Sequence, residues 1–566
     1  MNPARSINRA TLFALIFSIT APIICFLIFY QKVPLDAFFA GDAGIKYLEI
    51  VGQSMPGYGF GSFPYPAETI DPELKFLPGG TMALKGRIQG AFSYTFSIAS
   101  RPFRRLFGFP GVYTIPLLGV ILSLFFTYLL VKESSGIYRG FAAMVILAGA
   151  SPLLIYGVVI WEHSIAVALV VIGAWCWLSK KPSIVRDFCG GFFLGSSVWF
   201  RTEAYCFILG LSLAFAVMNR SAFKRVACAA GGVLGALAPL WVTNTILFGN
   251  PLGIEIYFAI HKGFWDNLLR VGERFPQLFQ LIYPVTSFPA AIRLIVLIAI
   301  FCIGLVQRYM RPLIDEKVYL LLAWITLIVN LWFLKNDLSS LISIAGVFPF
   351  VLSMAVSCRR EAKPRDSNTT TYLSLGVAFS LSAFFITSPD PGGLEWGPRY
   401  LLPLLPLLCA IVFSFLPDKV KINEIAVITL TVLLGFSVFI KGLDFVAQFK
   451  IRNAAMVNFT EERVAPGEYI LTDQRWFPQV GARLWLSRPM MVIKNRTDRN
   501  TVVERLANRN ALSFWLVQLY QSNNNSPENT PAQPEQISSY RLSESMLFRT
   551  AGQPIVFSHY LKEIIK

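Results

Sequence analysis

FCGGFFLGSSVWFRTEAYCFILGLSLAFAVM, residues 188–218, decides how this chain is threaded. The stretch is apolar and roughly 31 residues long, ample for one membrane crossing and short for two of full length. Arg201-Thr202-Glu203 interrupts its middle. Lys180, Lys181 and Arg186 precede it, and Arg220, Lys224 and Arg225 follow it. A single crossing would place those two basic clusters on opposite sides and invert every later loop against the rule that short basic loops stay cytoplasmic. Two short segments meeting at Arg201–Glu203 keep both clusters on one side, and broken helices are tolerated where they line a polar cavity.

The composition agrees with that class. Of 566 residues, 54% are hydrophobic and only 15% charged, with a mean hydropathy of +0.55. A soluble chain carries about a quarter charged residues. Thr11–Tyr30 follows Arg5 and Arg9 and lacks a small-residue cleavage site, so it reads as an uncleaved signal anchor. Phe109–Val131 returns inward, and Gly140–Leu178 is long enough for two crossings with Trp161-Glu162-His163-Ser164 at the outer turn. Further crossings are expected near 226–247, 290–309, 318–334, 339–357, 371–387, 400–416 and 424–441, for about 13 in all.

The formal charge of +17 raises the question of nucleic acid. Its placement in short loops between apolar runs answers it: the charge reports orientation, with attraction to anionic lipid second. The expected topology has a cytoplasmic N-terminus and an outer C-terminus. All eight cysteines lie in or beside apolar runs, which argues against a disulfide framework or a Cys-based metal site.

Two stretches are not membrane-spanning. Residues 31–107 form a long outer loop with aromatic, Pro- and Gly-rich pieces such as Tyr58–Pro66, suited to the membrane surface. From Gly442 the composition turns soluble. Tyr469–Thr472, Met490–Ile493 and Ser513–Leu519 read as strands, with helices at Phe477–Leu486 and Thr501–Asn508 between them. No Gly-rich phosphate loop accompanies them. The expected fold is a polytopic α-helical membrane domain, 1–441, which includes the first outer loop, followed by a small extracytoplasmic α/β domain, 442–566.

The polar residues expected at the outer face are the chemical candidates. Asp42 is the first acid beyond the anchor, in Gly41-Asp42-Ala43-Gly44-Ile45-Lys46-Tyr47-Leu48-Glu49. If helical, Asp42, Lys46 and Glu49 share one side. A carboxylate there can serve as general base for a hydroxyl, and Lys46 can pair with it or bind phosphate; an ordinary surface ion pair has the same spacing. Glu162 and His163 can orient a substrate hydroxyl, or hold a metal with a third ligand such as His261, or simply form an interfacial turn. Arg201 can clamp a phosphate with Glu203 orienting it, or the two can be a structural ion pair. Arg399 can meet a lipid phosphate, with Glu395 beside it and Trp396 stacking on a sugar or prenyl chain; aromatic belts explain Trp396 and Tyr400 equally well.

The order of these features resembles the GT-C superfamily of polyprenyl-phosphate-sugar-dependent glycosyltransferases, which includes protein mannosyltransferases and the aminoarabinose transferases of lipid A. The matching pieces are Asp42 in the first outer loop, Trp-Glu-His-Ser at 161–164, Arg-Thr-Glu-Ala at 201–204, Phe248-Gly249-Asn250-Pro251-Leu252 after Asn244, and Trp396-Gly397-Pro398-Arg399-Tyr400-Leu401-Leu402-Pro403. The resemblance implies that Asp42 is the general base or acceptor-orienting acid, and that Arg201, Arg399 and Lys46 hold the lipid-linked phosphate. The donor would be a polyprenyl-phosphate sugar and the acceptor a lipid, glycan or protein hydroxyl. Many members carry two adjacent acids in the first loop; here Glu49 lies two turns from Asp42, so a divalent metal is left open. The competing readings are a polysaccharide polymerase or ligase using lipid-diphosphate-linked glycans, and a flippase or transporter for lipid-linked oligosaccharides. Polar residues at one face, a long outer loop and a soluble domain favour the transferase.

Overall fold

The computed structural model describes residues 9–179, 182–254, 324, 343–351, 353, 367–387, 398–416, 422–519, 536–549 and 554–563. In chain order its elements are α1 (Arg9–Tyr30), α2 (Gly41–Gly52), β1 (Ser62–Phe63), β2 (Thr81–Leu84), β3 (Arg87–Gly90), α3 (Tyr94–Phe107), α4 (Thr114–Ser135), α5 (Ile137–Gly149) and α6 (His163–Leu178). Then come α7 (Ile184–Ser197), α8 (Ala204–Met218), α9 (Phe223–Phe248), α10 (Ser367–Thr387), α11 (Leu404–Phe415) and α12 (Ile422–Arg463). The C-terminal region adds β4 (Tyr469–Thr472), α13 (Phe477–Val480), β5 (Met490–Val492), α14 (Arg496–Asn508), β6 (Ser513–Leu519), β7 (Gln536–Ile537), β8 (Tyr540–Phe548) and β9 (Ile555–Lys562).

The protein is a multi-pass membrane protein. Among the described residues, five helices are long and apolar enough to cross a bilayer, and α5, α6, α8 and α11 are shorter apolar helices. The crossing expected at 290–309 and, apart from residue 324, that at 318–334 lie outside the described residues, as do about half of 339–357 and His261. Residues 188–218 form two short helices with the break at 198–203. At 14 and 15 residues, α7 and α8 are each about 21–22 Å long, less than the ~30 Å hydrocarbon core. The interruption at Arg201 is the reason, since the charge cannot continue a lipid-facing helix.

Contacts divide the chain into two units: 1–29 with 113–445, and 30–112 with 446–566. The first unit is helical. Its helices approach closely through small residues, as membrane helices do. A Cβ on Gly191 of α7 would meet the Ala229 carbonyl of α9, and one on Gly232 of α9 would meet the Phe188 carbonyl of α7. Arg225 of α9 closes the same pair with a fork onto Asp187 in the first turn of α7, Nε to Oδ2 at 2.8 Å and Nη2 to Oδ1 at 2.9 Å.

The second unit joins residues 30–112 to the C-terminal region. Its main sheet has the order β5-β4-β6-β9-β8-β7. β4 pairs in parallel with β5 and β6, as the alternating strand–helix pattern leads one to expect, and β9, β8 and β7 extend it antiparallel. Composition separates the chain at 441/442, whereas contact places residues 30–112 against 446–566. Trp485 is fully buried, stacks on Tyr65 at 5.8 Å and donates from Nε1 to the Pro64 carbonyl at 2.8 Å. The Val492 amide donates to Phe76 O at 2.8 Å, and Arg505 Nη1 to Ile70 O at 3.1 Å. Asp71, buried beneath the loop, accepts from the Tyr65 hydroxyl and from the Phe76 amide. Each of these bonds satisfies a loop group that would otherwise be buried without a partner.

Candidate active site

The candidate residues fall into two groups, one in each unit. In the second unit, α2 forms because Gly41–Gly52 is amphipathic: Ile45, Leu48, Ile50 and Val51 are buried. Asp42 lies in its first turn and is half-buried. A helix N-terminus favours a carboxylate, since its first amides point outward with partial positive charge. Lys46 and Glu49 are almost fully buried. The Lys46 ammonium lies 4.6 Å from the Phe92 ring centroid, and the Glu49 carboxylate lies where a Cβ on Gly90 of β3 would be.

The N-terminus of α2 is seated on the C-terminal region of the same unit. A side chain at Gly41 would collide with the Gln479 side chain, and one at Gly44 with the Gln479 carbonyl of α13. Gln479 Nε2 also donates to the Gly79 carbonyl. Sequence reading missed Gln479. Its one signal is the pair of glycines three residues apart on α2, which permits a close backbone approach.

In the first unit, three segments converge. Glu162 is the residue before α6 and is fully buried. Arg201 lies in the α7–α8 break. Its Nη1 bonds Glu162 Oε1 at 2.7 Å, its Nη2 lies 2.7 Å from Glu203 Oε1, and its Nε donates to that same oxygen at 2.8 Å. One guanidinium thus bridges two carboxylates from different segments, and the trio carries a formal charge of −1. The face of the Tyr400 ring lies 5.5 Å from the Arg201 guanidinium and 5.1 Å from that of Arg399. Tyr400 therefore spaces two cations, each attracted to a ring face. The aromatic-belt reading of Tyr400 gave no reason to expect this.

His163 opens α6 and is 2% exposed. Its ring packs with Trp161 at 5.4 Å and Tyr156 at 5.5 Å, an aromatic cluster at the helix start. Ser164 Oγ donates to the Pro116 carbonyl of α4 at 2.8 Å, which fixes the α6 start against α4. Among the described residues no three His, Cys, Asp or Glu side chains converge as a metal site requires. Glu395 and Trp396 lie outside the described residues; Arg399 is half-buried.

No family model and no curated protein sequence matches the chain. Solved structures do. The crystal structure of ArnT from Cupriavidus metallidurans bound to undecaprenyl phosphate aligns over 97% of this chain and 98% of its own, with a TM-score of 0.53 at 11% identity. The apo form of that protein aligns over the same shares with a TM-score of 0.44 at 12% identity. The Archaeoglobus fulgidus oligosaccharyltransferase in complex with Zn and sulfate aligns over 88% of this chain and 68% of its own, with a TM-score of 0.44 at 13% identity. The chain shares the fold of ArnT.

Proposed function

We propose that this protein is a glycosyltransferase of the bacterial inner membrane that moves a sugar from a polyprenyl-phosphate donor to an acceptor hydroxyl on the periplasmic side. The observation that carries the reading is the fold shared with ArnT across nearly the full length of both chains, in a structure whose bound molecule is undecaprenyl phosphate. The N-terminus is cytoplasmic and the C-terminal region periplasmic, which keeps the short basic loops inside.

Asp42 is the base. Its carboxylate takes the proton of the acceptor hydroxyl, and the freed oxygen attacks the anomeric carbon. The bond from that carbon to the lipid phosphate breaks, and its electron pair leaves on the phosphate oxygen. A single displacement inverts the anomeric configuration. Half-buried Arg399 neutralises the departing phosphate, the form of stabilisation that contributes most where water is excluded. Arg201 acts mainly through Glu162 and Glu203, which hold its guanidinium plane, and through Tyr400 it limits where Arg399 can swing. Lys46 is buried in the outer-loop unit and supports α2 there. Glu395 and Trp396 complete the donor side, and lipid, glycan or protein supplies the acceptor.

The test is transfer from a labelled polyprenyl-phosphate sugar in proteoliposomes. Asp42→Asn should lower the rate about 10²–10⁴-fold, the usual contribution of a general base, with unchanged unfolding behaviour. A well-folded Asp42→Asn protein that transfers at the wild-type rate refutes the mechanism.

A further inference from the structure

Helix α3 has two unlike faces, and the proposed reaction uses neither. Tyr94, Thr95, Phe96, Ser97 and Ser100 are buried; the Tyr94 ring meets Phe60 at 5.8 Å. Beyond the first turn, which is buried on both sides, Ile98, Pro102 and Leu106 recur every four residues on an exposed stripe opposite Phe96, Ser97 and Ser100, with Arg105 exposed beside them. Ile98 is 40% exposed, Leu106 74% and Phe107 60%. Single exposed apolar residues are ordinary, but a stripe of three at four-residue spacing, with Phe107 exposed at the helix end, marks an interaction face. Arg101 flanks the stripe on the same side, and its Nε has no hydrogen-bond partner among the described residues.

What meets this face follows from the chain. The apolar crossing segment Phe109–Ser135 begins two residues after α3 ends, so the Cα of Phe107 lies within about 7 Å of its first residue. The end of α3 is therefore tied to the membrane surface. The charge is also one-sided. No Asp or Glu occurs from Leu74 to Lys132, while Arg101, Arg104 and Arg105 crowd the last two turns of α3. In the orientation proposed above these arginines are on the outer side, where basic clusters beside a crossing are disfavoured. A phosphate partner explains their place, because the guanidinium fork matches phosphate oxygens two at a time.

We propose that α3 lies in the headgroup layer and docks on anionic phospholipid, with Ile98, Pro102 and Leu106 in the acyl boundary and Arg101 and Arg105 on lipid phosphates. Interfacial amphipathic helices bind by this combination of apolar area and charge. Near an anionic surface each arginine strengthens binding about fivefold.

The experiment places an environment-sensitive fluorescent amino acid at position 106 by stop-codon suppression in the full-length protein. That protein is reconstituted in nanodiscs of phosphatidylcholine or of phosphatidylglycerol, with or without nitroxide-labelled lipid. The expected result is blue-shifted emission and strong quenching in phosphatidylglycerol, and weaker effects in phosphatidylcholine. Arg101→Gln with Arg105→Gln should remove the difference between the two lipids. Water-like, unquenched emission in phosphatidylglycerol overturns the proposal, and that comparison needs no arginine variant to fold. Equal insertion in both lipids overturns the anionic partner. Insertion that appears only when undecaprenyl phosphate is added to either disc also overturns it and assigns the face to the donor lipid.

Discussion

Removing Arg201 has a consequence that can be worked from the geometry. Its side chain is 10% exposed and that of Glu162 only 1%. At an effective dielectric of about 20, unit charges about 3 Å apart attract by roughly 5–6 kcal/mol. Part of that offsets the desolvation of both ions, so the pair adds little net stability. Breaking it by deleting one partner is different, because the other charge stays buried; the cost is about 3–5 kcal/mol. Arg201→Met should therefore destabilise the protein by about 3–5 kcal/mol. Glu162→Gln should cost less, about 1–2 kcal/mol, because Arg201 retains Glu203 at 2.7 Å. The double variant Arg201→Met/Glu162→Gln should recover part of the loss, with a coupling of about 1–3 kcal/mol. The assay is equilibrium unfolding in mixed micelles by SDS titration, run as a double-mutant cycle. An Arg201→Met effect within about 0.5 kcal/mol of wild type, or strict additivity of the two changes, refutes the reading of the trio as a compensated buried unit.

Gly191→Leu should destabilise by about 1–3 kcal/mol or more through collision of α7 with α9, while Gly231→Ala, with open space around it, should be near neutral; the same titration compares them. Trp485→Ala should cost about 3–5 kcal/mol and expose protease sites in both 30–112 and 446–566 together; release of the C-terminal part alone, with the outer loop still resistant, would count against the contacts that join them. Burial alone would raise the Glu468 carboxyl, but donation from Ser513, Ala465 N–H and Trp515, with His559 nearby, holds it below its usual 4.5. A depressed value means that its contribution is present above the unfolded-state value and lost as pH falls through the folded one. The pH dependence of unfolding below about 5 should therefore weaken in Glu468→Gln, and identical pH curves for the two proteins would contradict it.

Features carried by local pattern were legible in the sequence. The apolar runs located α1, α4, α9, α10 and α12, and the broken run at 188–218 located α7 and α8. The three parallel strands were visible because each is a short apolar run between helical segments. The antiparallel strands β7, β8 and β9 were not. β8 alternates only over Tyr540–Ser543; Ser543–Ser545 are all polar and Met546–Phe548 all apolar, with most positions only partly buried. It follows a polar Asn-, Ser-, Pro- and Gln-rich stretch that reads as a flexible excursion. The union of residues 30–112 with 446–566 was also out of reach. Several of its bonds end on backbone carbonyls, as at Pro64, Ile70 and Phe76, and a carbonyl leaves no mark on the identity of its residue. The side-chain pairs Arg483–Asp36 and Arg505–Glu73 join charges too common for sequence to match.

The site was legible as a list of charged interruptions but not as a division of labour. From sequence, every ionisable residue in an apolar run is a candidate ligand, because its burial alone is costly. The structure shows how part of that cost is met inside the protein. Glu162, Arg201 and Glu203 compensate one another, so recruiting any of them to a substrate phosphate means breaking short bonds between charged groups. Asp42 and Arg399 stay half-buried at a helix start, whereas Glu162 and Arg201 are buried and Glu203, itself half-buried, is held by Arg201 at 2.7 Å. A general base must reach a substrate proton and a phosphate ligand must reach a headgroup, so access separates Asp42 and Arg399 from buried Glu162 and Arg201. Asp42 depends in turn on Gln479, because α2 can approach α13 only where Gly41 and Gly44 leave room. The position of the proposed base is therefore set by a residue more than four hundred positions away, in a part of the chain whose composition marks it only as soluble.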